Sequence, residues 1–205
     1  MIKIQDSFYT DVESIRKLAE NACQLTGCGP AVRSDYINNI DYNFYEWFCK
    51  NIANEYNLNL NNVVVDTYFS KLTYDGNRRN DGLIHIDGRN PNSSNMTQKD
   101  YKMILCGQIY LSEVIDETDG IKFYNLRKEI DWDSEKLFQM TLNGCYDLKC
   151  DREKLQEYHD SFHETVSVKN KTNRIISWKA GMIHRSGITE KQKERIVQHF
   201  YISLV

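Results

Sequence analysis

The sequence predicts a mostly β fold with supporting α-helices: a β-sandwich or barrel, flanked by helices, behind a helical lead-in. Three observations predict it. From residue 61 onward, short runs rich in β-branched and aromatic residues recur between polar breaks. Before that point the apolar residues recur at helical spacing instead. A length of 205 residues, with 40% hydrophobic and 27% charged content, suits one globular domain with a sizeable core and excludes disordered and fibrous classes.

The elements follow in order. Thr10-Asp11-Val12-Glu13 has capping-box form, and Ile15, Leu18, Ala19 and Ala22 then share a helical face. Gly27-Cys28-Gly29-Pro30 predicts a turn. After Asp41, a second amphipathic run puts Phe44, Trp47, Phe48, Ile52 and Tyr56 on one broad face. Strands are predicted over 63–69, 83–87, 103–111, 121–124, 165–169, 174–178 and 195–204, with a short apolar strand in 181–187. Asp75-Gly76-Asn77 predicts a turn and 88–94 a loop. Residues 126–163 interrupt the strand series. They are charged and helix-leaning, with Asp131-Trp132-Asp133-Ser134-Glu135 as a helix start, and read as a lid, a substrate wall or an oligomer contact. The expected organisation is a single domain over 1–205, with 1–60 as helical support and 61–205 as the β core carrying a helical insertion at about 126–163.

Charge and cysteine content narrow the function classes. With 26 basic and 29 acidic side chains the net charge is −3, which gives no general electrostatic attraction to nucleic acid. No run approaches the roughly 20 apolar residues that span a bilayer, and the first residues lack a signal-peptide core. The expectation is a cytoplasmic protein with no membrane partner. Its six cysteines are then expected to be reduced, with Cys49 and Cys106 as small core residues in apolar runs. Cys145, Cys150, His159 and His163 are all capable zinc ligands. Their spacing is shorter than that of a finger and lacks Cys-x-x-Cys, so a solvent-facing helix bearing two histidines is the preferred reading.

The chemistry-bearing pattern is His85-Ile86-Asp87. Residues two apart in a strand share a face, so the imidazole and the carboxylate project together. Burying an unpaired carboxylate costs on the order of several kcal/mol, and a metal removes that cost. His184, in Gly181-Met182-Ile183-His184-Arg185-Ser186-Gly187, supplies a third donor. Two histidines and one carboxylate on one side of a metal leave the other side open, as suits non-haem Fe(II). On the strand that follows, alternation puts Arg195, Val197, His199 and Tyr201 on one face, and a guanidinium there can hold a carboxylate bidentately. His199 itself reads as a core histidine hydrogen-bonded to a neighbour.

In these residues the sequence resembles the 2-oxoglutarate- and Fe(II)-dependent dioxygenases, whose signature is His-x-Asp, a distal His, and a basic residue on the next strand. Further motifs resemble small stand-alone prolyl-hydroxylase-like members: Asp6-Ser7-Phe8-Tyr9 with 15–19, Val32-Arg33-Ser34, Gln108-Ile109-Tyr110-Leu111-Ser112, Gly120-Ile121-Lys122-Phe123-Tyr124, and 171–176. The resemblance covers most of the chain except 126–163. It implies a double-stranded β-helix (jelly-roll) core supported by N-terminal helices. It also implies Fe(II) bound by His85, Asp87 and His184, and 2-oxoglutarate and O2 as cosubstrates. Arg195 would pair with the far carboxylate of 2-oxoglutarate and Tyr110 would contact it, with Tyr74 a further candidate. Many relatives carry Ser or Thr two residues after the arginine; here that residue is Val197. The presence of Asp87 favours hydroxylation, because halogenating relatives lack this carboxylate. Lys191 and Lys193 lie in a charged turn and are expected to face water.

The implied function is hydroxylation of a C–H bond of a peptidyl (prolyl) or amino-acid-like substrate, with release of succinate and CO2. The partner is then a protein, a peptide or a small molecule. The alternative is a non-catalytic metal-binding jelly-roll acting as a binding or sensor module, and Arg195 discriminates between the two because such a module needs no cosubstrate clamp. Arg79, Arg89 and the 126–163 segment are further places where a substrate could be read.

Overall fold

The computed structural model describes residues 1–26, 31–74, 84–87, 102–118, 120–127, 159–186 and 189–205. The elements run β1 (Ile2–Gln5), α1 (Val12–Ala22), β2 (Leu25–Thr26), β3 (Ala31–Tyr36), α2 (Ile37–Ile40), α3 (Tyr42–Tyr56) and a 3₁₀ turn (Leu60–Asn62). They continue with β4 (Val63–Thr73), β5 (Lys102–Tyr110), β6 (Ile121–Leu126), β7 (Phe162–Val168), β8 (Ile175–Lys179), β9 (His184–Ser186) and β10 (Glu194–Leu204).

Two antiparallel sheets result. The larger has the order β1-β8-β5-β10-β4-β3-β2 and the smaller β7-β6-β9. The segment 84–87 joins the smaller sheet through a bridge between His85 and His184. Counting that segment, the eight strands from β4 onward alternate between the sheets except at the β6–β7 hairpin, as in a jelly-roll, with β8-β5-β10-β4 facing β7-β6-β9 and 84–87.

Both predicted N-terminal helices form. The first is capped one residue later than its capping-box pattern suggests: the Asp11 carboxylate accepts from the Ser14 N–H at 3.1 Å and the Ser14 hydroxyl at 2.6 Å. Asp41 caps α3, accepting from the Phe44 N–H at 3.0 Å, and Asn57 ends it in the left-handed region with φ 53°. The lead-in also contributes β1, β2 and β3, which its helical reading does not contain. These strands are two to six residues long, too short for a period of two to declare itself, and they exist by pairing with the sheet edges. The turn at 27–30 lies outside the described residues, as do 75–83 and 88–101 with their predicted turn and loop.

Alternation along β10 divides the core. Ile196, Phe200 and Ile202 pack with Phe48, Ile52, Ile37 and Phe69 between the large sheet and the helices. Val197 and Tyr201 face the other way, toward Ile121, Phe123, Trp178 and Cys106 between the sheets. Trp47 is 41% exposed and lies at the rim of the helical layer, stacked on Phe44 at 6.0 Å. Phe200 is the cross-strand partner of Gly107, and its ring covers that glycine so closely that a β-carbon there would lie 2.1 Å from the ring. Cys49 and Cys106 are buried free thiols, as expected.

Of the four possible zinc ligands, Cys145 and Cys150 lie outside the described residues. His159 is buried and His163 is exposed on β7, so the two histidines do not share a helix face. Most of 126–163 is likewise outside the description, but its ends are not. Leu126 pairs with Phe162, and the Arg127 N–H donates to the Ser161 carbonyl at 3.0 Å. Among the described residues no helix is long and apolar enough to cross a membrane.

Asp6 fastens the lead-in to the segment before β8. Its carboxylate accepts from Arg174 at 2.6 Å and from Lys171 at 2.6 Å. The Arg174 and Lys171 bonds hold its pKa down from 3.8 to about 2. A depressed carboxylate pKa contributes stability that is present above the unfolded value and lost as pH falls through the folded one. Thermal melts should therefore fall more steeply from pH 4 to pH 2 for the wild type than for Asp6→Asn.

Candidate metal centre

The bridge that adds 84–87 to the smaller sheet also assembles the site. The His85 N–H donates to the His184 carbonyl at 2.9 Å, and the His184 N–H donates to the His85 carbonyl at 2.8 Å. Directly opposed residues in such a pair project to the same side, so the two imidazoles meet with ring centroids 4.4 Å apart. Asp87, two residues on, brings one carboxylate oxygen to 3.6 Å from His85 Nε2 and the other to 3.3 Å from His184 Nε2. The donor atoms of all three lie within 4.8 Å of one another.

The protonation states suit metal binding. His184 is 4% exposed, and its Nδ1 lies 2.9 Å from the Met182 carbonyl. A carbonyl can only accept, so Nδ1 carries the proton and Nε2 turns its lone pair toward Asp87. Burial lowers the His184 pKa to about 4, which keeps the ring neutral at pH 7. For Asp87, burial pushes the pKa up, but attraction to His184 and a hydrogen bond from His85 outweigh it, and the carboxyl stays ionised. Two imidazoles and one buried carboxylate converging on a common point fit a divalent iron bound on one side.

The wall of the larger sheet facing this triad has two halves. Register places Val197 opposite both Ser70 and Tyr110, and His199 opposite both Tyr68 and Gln108. In one half, Arg195 is 1% exposed and its guanidinium lies 5.8 Å from the centre of the Tyr110 ring. The Tyr110 hydroxyl accepts from Gln108 Nε2 at 2.7 Å, and Arg195 Nη2 donates to the Ser186 hydroxyl at 3.2 Å. Ser186 shares its face of β9 with His184, which links the two groups.

The other half holds Tyr68, Ser70, His199 and Tyr201. His199 stacks on Tyr68 at 5.2 Å, with its Nε2 2.8 Å from the Ser70 hydroxyl. It is therefore hydrogen-bonded to a neighbour, as expected, yet it faces the site. The Tyr68 and Tyr201 hydroxyls are 3.3 Å apart. Burial raises both phenol pKa values, and the Asp87 charge raises them further. Tyr74 donates its N–H to the Lys193 carbonyl at 2.6 Å, and its phenol makes no hydrogen bond to the triad, Arg195 or Tyr110 among the described residues. Lys191 and Lys193 are exposed in their turn.

Ser186, Tyr68 and Ser70 are the site-facing residues that sequence reasoning missed. Alternation puts Tyr68 and Ser70 on one face of β4, but which face looks inward depends on pairing with β10, and no local pattern encodes that.

No protein-family model matches the sequence, and no curated protein matches it. Solved structures do. HygX from Streptomyces hygroscopicus, with nickel, 2-oxoglutarate and hygromycin B bound, superposes with a TM-score of 0.61 at 13% identity, covering 98% of this chain and 82% of that one. HygX with iron bound gives 0.56 at 12% identity, covering 98% and 81%. AviO1 from Streptomyces viridochromogenes Tue57 gives 0.53 at 11% identity, covering 98% and 89%. Across nearly its whole length, this chain therefore has the jelly-roll fold of the 2-oxoglutarate- and Fe(II)-dependent oxygenases.

Proposed function

We propose that the protein is an Fe(II)- and 2-oxoglutarate-dependent oxygenase that hydroxylates a C–H bond of a peptidyl (prolyl) or amino-acid-like substrate, releasing succinate and CO2. The observation that carries this is the pairing of a His85–Asp87–His184 triad with a buried Arg195 on the wall facing it. A non-catalytic metal-binding module would have no need of a cosubstrate clamp on that wall.

When bound, iron and 2-oxoglutarate supply the oxidising chemistry, by which O2 is consumed, 2-oxoglutarate becomes succinate and CO2, and one oxygen atom enters the substrate. The chain's own residues prepare for it. His85, Asp87 and His184 hold iron from one side, the Met182 carbonyl fixes the His184 ring, and the dry wall of Val197, Ile176 and Trp178 limits water. Arg195 holds the distal carboxylate, with Tyr110 beside it and Tyr74 as a more distant candidate. Ser186 takes the part that Val197 cannot: its hydroxyl accepts from Arg195 and keeps a proton to donate to the same carboxylate. Ser186→Ala should weaken 2-oxoglutarate binding about tenfold while leaving metal affinity intact, as measured by titration calorimetry on the Ni(II) form. Val197→Ser in that background should restore part of the loss.

The direct test is iron-dependent succinate formation from 2-oxoglutarate, followed without added substrate and with peptide and amino-acid pools. Succinate that requires both Fe(II) and an intact His85 supports the enzyme. Absence of 2-oxoglutarate binding together with absence of turnover in every pool would leave the sensor module as the better reading.

A further inference from the structure

Arg195 stands where β10 loses a neighbour. From Val197 onward β10 pairs with β5, Val197 opposite Tyr110, whereas Arg195 is registered only with Leu72 of β4. The last backbone bond from the β5 side runs from the Leu111 N–H to the Ile196 carbonyl at 3.0 Å. Beyond it two side chains take over. The Ser112 hydroxyl accepts from the Ile196 N–H at 2.6 Å, and Gln192 Nε2 donates to the Glu194 carbonyl at 3.0 Å. The backbone is therefore held immediately before and immediately after Arg195.

Gln192 is 3% exposed, and its amide is fully used. Nε2 also donates to the Glu113 carbonyl at 2.8 Å, while Oε1 accepts from the Ile115 N–H at 3.0 Å and the Asp116 N–H at 3.3 Å. One side chain thus ties the segment after β5 to the turn that leads into β10. That turn is strained. Lys193 has φ 56°, and across it the Glu194 N–H donates back to the Gln192 carbonyl at 2.5 Å. Asn57 and Asn173 share this backbone region, which short polar side chains suit, but a lysine has no such aid. Strain of this kind persists only where the surroundings over-determine it. Here the Tyr74 N–H donates to the Lys193 carbonyl at 2.6 Å and the Lys193 N–H to the Thr189 carbonyl at 3.2 Å, with Gln192 closing the third side.

We infer that Gln192 is a positioning residue for Arg195: by clamping the strained turn at Lys193 to the 113–116 segment, it fixes where β10 begins and so where the guanidinium stands beside Tyr110 and Ser186. Bidentate capture of a carboxylate needs its donors placed within roughly 0.5 Å. A buried arginine has little freedom to make good a shift of its own backbone, so the placement is set at the turn. This inference rests on the proposed role of Arg195 in holding 2-oxoglutarate and adds the device that aims it.

Gln192→Met keeps the bulk and removes the amide. On the Ni(II) form it should weaken 2-oxoglutarate binding about tenfold at unchanged Ni(II) affinity, as read by titration calorimetry. Adding Lys193→Gly should recover part of that loss, because glycine adopts a positive φ without the clamp. Should the methionine chain not fold, Gln192→Glu gives the same reading, since it keeps the acceptor oxygen and loses the donors to Glu113 and Glu194. A lowered melting temperature with unchanged 2-oxoglutarate affinity would make Gln192 a stability residue only and overturn the inference. So would a double variant that binds still more weakly, since the strain would then not be what Gln192 opposes. Failure of the wild type to bind 2-oxoglutarate would instead remove the oxygenase reading. The Arg195 Nε–H resonance of the metal-free protein then decides: Gln192→Met should move it toward that of a solvent-exposed arginine, and a resonance left in place would overturn the inference.

Discussion

His184→Ala abolishes Fe(II)-dependent stabilisation of the protein. A ligand at about 100 times its Kd stabilises a folded chain by about 2.7 kcal/mol, which is read directly as an upward shift in melting temperature. His184 contributes more to that binding than its share of three donors. Its ring is buried, held by the Met182 carbonyl, and placed by backbone hydrogen bonds to His85 in both directions. Removing it deletes a donor and takes away the ring that lies 3.3 Å from the buried Asp87 carboxylate. Metal affinity should fall by at least about 100-fold, beyond the range that losing a supporting hydrogen bond produces. Metal content after gel filtration and the Fe(II)-induced melting shift both measure it. His85→Ala should show the same effect at smaller size, since that ring is about a third exposed. Full iron retention by His184→Ala would refute the ligand assignment.

The largest effect on stability is expected at Gly107. Replacing glycine in a strand by alanine ordinarily stabilises by removing freedom from the unfolded chain. Here the added methyl would meet the Phe200 ring at 2.1 Å, and that ring is fully buried against Phe48 at 5.7 Å with no open side to move toward. Overpacking of this kind typically costs 1–3 kcal/mol, so Gly107→Ala should destabilise by about 3 kcal/mol and lower the melting temperature by about 6–12 °C. Phe200→Leu in the same chain should recover part of the loss, and a double-mutant cycle from thermal or urea melts isolates the coupling. Additive losses would place the strain elsewhere than the ring.

The strand series from residue 63 onward was readable because each run is long or strongly β-branched, and alternation assigned the inner face of β10 correctly from Arg195 through Tyr201. The triad was readable because His85 and Asp87 lie two apart in one segment, while His184 follows at the start of another. What escaped had a common cause. Strand β1 and the half-wall of Tyr68 and Ser70 owe their positions to partners more than a hundred residues away, such as Trp178 opposite Ile2 and Val197 opposite Ser70, and β2 and β3 owe theirs to the β4 edge. Ser186 was part of a quoted motif, yet its bond to Arg195 crosses from one sheet to the other. Local composition carries no record of such encounters.

The hydrogen bond from Arg127 to Ser161 has an engineering meaning. β6 and β7 are already side by side where the chain leaves at 127 and returns at 161, so their pairing holds the two ends of that stretch together. A short turn joining residues 127 and 161 should therefore preserve the β6–β7 pairing. The β6–β7 end is therefore a junction at which the chain can be cut and rejoined at a distance in sequence from His85, Asp87 and His184.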